Sequence, residues 1–178
     1  SKFSFGLIGT NSYATQESTW GHRFIAKSPL DDRGFTNTAD MGIGYSQKFG
    51  NFSINTQILN GDGYKKEQDE GKSFATYFRA LYGESQLNKN DGYNVGLIMN
   101  KIDDNLTTSD KDESITLMGL FGGFSASNLR LGLESNKYEA WNDNSTQLET
   151  QILTSLYADY SLCESLNLFA RYDMNETQ

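Results

Sequence analysis

The sequence predicts an all-β fold, an antiparallel transmembrane β-barrel of which these 178 residues form a part. Three observations predict it. Runs of strict period-two alternation recur along the chain, and the connections between them take turns between short and long. The composition is rich in strand and turn formers, with 13% aromatic residues, seventeen glycines and one proline, yet the mean hydropathy is negative. A water-soluble all-β core of this size needs more Val, Ile and Leu. A barrel with a watery lumen needs only one residue in two to be apolar. No apolar run approaches the roughly 18 to 20 residues of a membrane helix; the longest are short stretches such as Leu117 to Phe121. In a bilayer, the other way to pair every backbone N–H and C=O is a closed barrel.

The alternating runs follow in order. Phe3, Phe5 and Leu7 alternate with Ser4, Gly6 and Ile8. A weaker strand is read around Trp20 to Lys27. Met41, Ile43 and Tyr45 alternate with Asp40, Gly42 and Gly44, and after the tight turn at Phe49-Gly50-Asn51 the pattern restarts as Phe52, Ile54 and Ile58. Phe78, Ala80 and Tyr82 oppose Tyr77, Arg79 and Leu81, and Tyr93, Val95, Leu97 and Met99 oppose Asn94, Gly96 and Ile98. Ile115, Leu117, Gly119 and Phe121 lead through Ser125 to Asn128 into Leu129, Leu131 and Leu133, set against Arg130, Gly132 and Glu134. Ile152, Leu156, Ala158 and Tyr160 precede Leu166, Leu168, Ala170 and Tyr172, set against Asn167, Phe169, Arg171 and Asp173. This gives about ten strands of the roughly 9 to 11 residues that a tilted membrane strand needs. Met41, Ile43, Ile54, Ile58, Phe78, Leu97, Leu117, Leu131, Leu156 and Leu168 are expected to face lipid.

The connections carry the topology. Short turns at 49–51, 125–128 and 161–165 take turns with long polar loops at 28–37, 60–72, 102–113 and 139–147; segment 84–91 is long for a turn. Short periplasmic turns and long extracellular loops are the asymmetry of outer-membrane barrels. Tyr45, Phe49, Phe52, Tyr82, Tyr93, Phe124 and Tyr160 crowd the short-turn ends, and Tyr64, Phe74, Tyr138 and Trp141 lie near the long loops, as two aromatic girdles would. The reading is one barrel domain over 1–178, truncated at both ends: no charged and apolar leader precedes Ser1, and Asn175 to Gln178 read as the start of another loop.

Charge and chemistry bound the function. A net charge of −8 excludes a nucleic-acid partner, which wants a basic face. The single cysteine, Cys163, makes neither an internal disulfide nor a thiolate metal cluster. His22 is the sole histidine and no Gly-x-Ser-x-Gly frame is present, so no catalysis is expected and His22 reads as a strand-end residue. Asn60-Gly61-Asp62-Gly63 lacks the spaced acids of a calcium loop and reads as a turn. No cofactor and no metal are expected. The polar phases place Asp40, Arg79, Arg130, Glu134, Asp159, Arg171 and Asp173 on the lumen side as pore-lining residues, together with Glu149. Arg79, Arg130 and Arg171 form a basic strip that opposes acids across the lumen. The loop bearing Asp103, Asp104, Asp110, Asp112 and Glu113 against Lys111 reads as a solvated acidic loop or as a cation-concentrating vestibule.

Trp20-Gly21-His22-Arg23 with Lys27-Ser28, then Thr38-Ala39-Asp40-Met41-Gly42-Ile43-Gly44, then Asn60-Gly61-Asp62-Gly63-Tyr64, resemble the bacterial outer-membrane porins related to the phosphate-selective O and P type. The resemblance covers most of this chain and implies passive diffusion of small hydrophilic solutes or ions across the outer membrane. Arginine clusters that would trap phosphate are not evident. Expected partners are membrane lipid, lipopolysaccharide and small hydrophilic solutes, with a homotrimer as a further candidate. A structural barrel in an envelope complex, or a soluble β-sandwich or barrel binding carbohydrate through Trp141, are the alternatives.

Overall fold

The protein is described by a computed structural model that places residues 1–61, 63–64, 74–103, 113–142, 147–163 and 165–177. The strands are β1 (Lys2–Gly9), β2 (Ala39–Phe49), β3 (Phe52–Leu59), β4 (Ala75–Gly83), β5 (Gly92–Asp103), β6 (Glu113–Ala126), β7 (Leu129–Asn142), β8 (Gln147–Cys163) and β9 (Leu166–Thr177). Two short helices, α1 (Ala14–Trp20) and α2 (Pro29–Asp32), lie between β1 and β2. Every strand pairs antiparallel with its neighbour in sequence, giving one sheet in the order β1 to β9, with β1 and β9 as its edges.

Local chemistry sets the turns and the register. Phe49 pairs with Phe52 around Gly50-Asn51, where Gly50 has φ +59°, a left-handed conformation that favours glycine. Ala126 pairs with Leu129 around Ser127-Asn128; Ser127 takes φ +53°, and its backbone N–H donates to Asp91 at 3.1 Å. Between β4 and β5, the backbone N–H of Gln86 donates to Glu84 at 2.8 Å, which holds the Glu84 carboxyl below its ordinary range. The long connections 65–73, 104–112 and 143–146, with Asp62, lie outside the described residues, and with them Asp104, Asp110, Lys111 and Asp112 of the expected acidic loop.

The two faces of the sheet differ. Phe3, Phe5, Leu7, Met41, Ile43, Ile58, Val95, Met99, Leu120, Leu133, Leu156, Leu168 and Tyr172 stand exposed on one face, Phe5 by 82% and Tyr172 by 69%. A soluble monomer rarely exposes a contiguous apolar patch beyond a few hundred Å², and this one, with Tyr82 on β4, has residues on every strand. The other face is covered from β3 to β9 by the β1–β2 connection, over apolar residues in its middle and polar ones toward its flanks. Tyr13, Leu30 and Phe35 of that connection pack on Leu81, Ile98, Leu117, Phe121 and Leu153. Leu30, Leu117 and Leu153 are fully buried, and each contributes about 1.5–3 kcal/mol by leaving water.

Several expectations change. The described residues hold nine strands, not about ten, because Trp20 to Lys27 is not a strand. Gly21 ends α1 in the left-handed conformation, its N–H donating to the Glu17 carbonyl at 2.8 Å, and Ile25 N–H turns back to the His22 carbonyl at 2.9 Å. The expected extracellular loop 28–37 instead begins α2 on Pro29 and buries Leu30 and Phe35 against the sheet. Leu117, expected to face lipid, faces the covered side, and Met118 and Leu120 take the outer positions. Both phases of β6 are apolar because its inner face is dry beneath the connection, so alternation alone could not choose between them. Tyr138 also leaves the upper girdle, its ring stacking on Phe35 at 4.8 Å.

Candidate functional site

The connection 10–38 leaves β1 at the end of the sheet where the long connections lie, since Gly9 pairs with Ala39 while Phe49, at the far end of β2, sits at a short turn. It then runs down the inner face to the short-turn end, where the Ser18 hydroxyl donates to Asn88 Oδ1 at 2.7 Å.

Neutral amides and hydroxyls hold its upper part. Asn11 Nδ2 donates to Asn55 Oδ1 at 2.6 Å, and Asn11 N–H donates to Gln57 Oε1 at 3.0 Å. Gln57 Nε2 donates in turn to the Gly9 carbonyl at 2.8 Å, and Asn100 Nδ2 donates to Ser12 Oγ at 2.7 Å. The Tyr13 hydroxyl donates to the Thr38 carbonyl at 3.0 Å; burial, reinforced by the Glu17 carboxylate, pushes its pKa up to about 12.

Charged and aromatic groups hold its lower part. His22 Nε2 and Asp159 Oδ2 are 2.7 Å apart, both residues buried. An ionised carboxylate only accepts, so Nε2 carries the proton. Arg130 reaches Asp159 Oδ1 at 3.5 Å and donates from Nη2 to the Trp20 carbonyl at 3.3 Å. The His22 ring stacks on Phe169 at 4.3 Å, and the Arg171 guanidinium lies 5.1 Å from the centre of the Trp20 ring while donating to the Lys27 carbonyl. Tyr157 hydroxyl donates to the Gln16 carbonyl at 3.3 Å.

The seven expected lumen residues therefore separate into groups. Arg79, Arg130, Asp159 and Arg171 sit on the covered face and grip the connection, Arg79 by donating from Nη1 to Thr15 Oγ1 at 3.0 Å. Asp173 pairs with Arg171 at 2.9 Å. Glu134 is buried beside Asn136, whose Nδ2 donates to it at 2.8 Å, and Glu149 accepts from Gln151 at 2.8 Å. Asp40 is separate: it accepts the Gly61 N–H at 2.6 Å and the Met41 N–H at 2.7 Å, bracing the exit of β3. His22 is not a strand-end residue but the tip of the connection.

Sequence reasoning missed the charges that the connection itself presents. Arg23 bridges Glu17 and, at 2.9 Å, Asp31, while Lys27 lies 3.5 Å from Asp31; Arg23 and Lys27 are exposed. A signal for the covered face was available in the glycines of the inward phase. A Cβ at Gly123 would meet Leu87 at 2.6 Å and Thr19 at 2.8 Å, and one at Gly132 would meet the Tyr157 ring at 2.0 Å. These positions make room for what packs on them.

No family model and no curated protein matches the chain. A solved structure does: OmpTdeltaL8, a loop L8 deletion mutant of OmpT, an outer membrane protein of Vibrio cholerae. The match has a TM-score of 0.66 at 14% sequence identity and covers 98% of this chain and 59% of that one. With its open nine-stranded antiparallel sheet and apolar outer face, the chain has the fold of part of an outer-membrane β-barrel.

Proposed function

We propose that the chain forms wall and constriction of a pore in the bacterial outer membrane, of the porin type related to the phosphate-selective O and P porins, through which small hydrophilic solutes or ions diffuse passively. The observation that carries this reading is the connection 10–38, folded onto the polar inner face with its charged side chains Arg23 and Lys27 turned to water. A connection of this kind narrows a water-filled barrel without closing it, and its fixed charges bias what passes.

In this reading Arg79, Arg130, Asp159 and Arg171 shape the pore by holding the connection, and Asp40, Glu134 and Asp173 complete the charged inner wall. The outer face meets lipid and, at its long-connection end, lipopolysaccharide; assembly as a homotrimer belongs to the same reading. No catalytic step is part of this reading, in which His22 serves to hold the tip of the connection through Asp159. The test is the full-length protein in a planar bilayer. Stepwise conductance that rises with salt is expected, and a folded, inserted protein that carries no current overturns the proposal.

A further inference from the structure

At the short-turn end, the tip of the connection, two turns and the ends of β8 and β9 line a cleft of about 450 Å³. That size lies within the range of roughly 300 to 1,000 Å³ typical of small-molecule sites. Its charged groups are of both signs and most already have partners. Asp159 is committed to His22 and Arg130, and Asp91 accepts the Ser127 N–H. Beside Lys89, what remains toward the opening is neutral: Asn128 and Asn167, the Nδ2 of Asn88, whose oxygen accepts from Ser18, and Asn90, which also pairs with Glu84, all four exposed. An amide offers donors and an acceptor side by side, as does a sugar hydroxyl, so a ring of amides suits a polyol better than an ion. Phe24 adds a flat apolar surface at the same cleft; its ring is 83% exposed and meets His22 edge-on at 5.8 Å. An aromatic ring beside convergent amides fits the C–H face and the hydroxyl rim of a pyranose together.

We propose that this cleft binds an uncharged polyhydroxylated solute of the mono- or disaccharide class, Phe24 stacking on the sugar ring and Asn88, Asn90, Asn128 and Asn167 pairing with its hydroxyls. The proposal rests on the pore reading and gives it a substrate class: a solute would meet the cleft where the constriction opens at the short-turn end.

The test uses full-length protein, maltose as the probe, and two readouts: calorimetric binding in detergent and blockage of the ion current in a planar bilayer. Maltose is expected to bind and to interrupt the current, and Phe24→Ala and Asn167→Ala are each expected to raise the half-saturating concentration about tenfold, a loss of about 1.4 kcal/mol. Phe74→Ala, an exposed aromatic outside the cleft, should leave maltose binding as it is. A conducting protein that neither binds maltose nor is blocked by it overturns the cleft and leaves the pore reading standing. So does binding undiminished in both cleft variants, or blockage by inorganic phosphate in place of maltose through Lys89 and Arg130. Maltose binding that Phe24→Ala abolishes, in a protein that inserts but carries no current, overturns the pore reading and supports the cleft.

Discussion

His22 and Asp159 lie 137 residues apart in the chain and 2.7 Å apart in space, and their contact fastens the tip of the β1–β2 connection to the wall at β8. Both are buried, and Arg130 leans on the other carboxylate oxygen. Removing one member of such a group leaves the others desolvated without a partner, which costs more than the pair contributes. Asp159→Ala is therefore expected to destabilise the lower connection by about 3–5 kcal/mol. Trypsin should then cut after Arg23 and Lys27 faster than in the parent protein; equal cleavage rates would show that the contact does not hold the tip.

Gly21 marks the point where α1 ends against the wall. It sits at φ +76°, and a Cβ there would meet Arg130 Nη2 at 2.6 Å. Gly21→Ala should cost about 1–2 kcal/mol from the left-handed backbone alone, with a further loss as Arg130 is pushed off the Trp20 carbonyl. A lowered thermal midpoint that Arg130→Ala partly relieves would identify both causes.

Tyr13 supplies a pH test of the upper connection. Its phenol is held protonated by burial, up to about 12 against an ordinary 10.0. Its contribution to stability is thus fully present below the unfolded value and is lost as pH rises through the folded one. Difference absorbance between the parent and Tyr13→Phe should show one phenolate appearing near 12. A phenolate appearing near 10 would place Tyr13 in water.

The arginines test the electrostatics of the inner face. Replacing Arg79, Arg130 and Arg171 with Ser removes three positive charges from the covered wall and three donors to the connection. Reversal potential under a salt gradient should move toward cation preference at low salt, and the shift should shrink at 1 M, where screening shortens the reach of charge to about 3 Å. An unchanged reversal potential at low salt would place these charges away from the conducting path.

The strand grammar was legible because one face is apolar and exposed along the sheet. The phases of Met41 and Ile43, or of Leu131 and Leu133, follow from alternation, and the turns at Gly50 and Ser127 follow from turn chemistry. Legibility stopped where the inner face is dry. Leu117 and Leu120 are both leucine, on opposite sides of β6, and only the packing of Phe35 and Leu30 distinguishes them. The connection itself was misread for the same reason: Trp20 and Leu30 look like strand or loop residues until the wall they pack on is known. Arg79, Arg130 and Arg171 were placed on the inner side from phase alone, but what they hold depends on contacts across 64 to 144 residues, which no local pattern records.

In the proposed pore, the connection between β1 and β2 narrows the lumen. Replacing residues 14–32 of the full-length protein with a short Gly-Ser linker removes α1, α2 and the His22 tip while keeping both strands, and single-channel conductance in a planar bilayer reads the consequence directly. A larger conductance and weaker ion selectivity than those of the parent protein are expected. A conductance and selectivity unchanged by the replacement would contradict the narrowing.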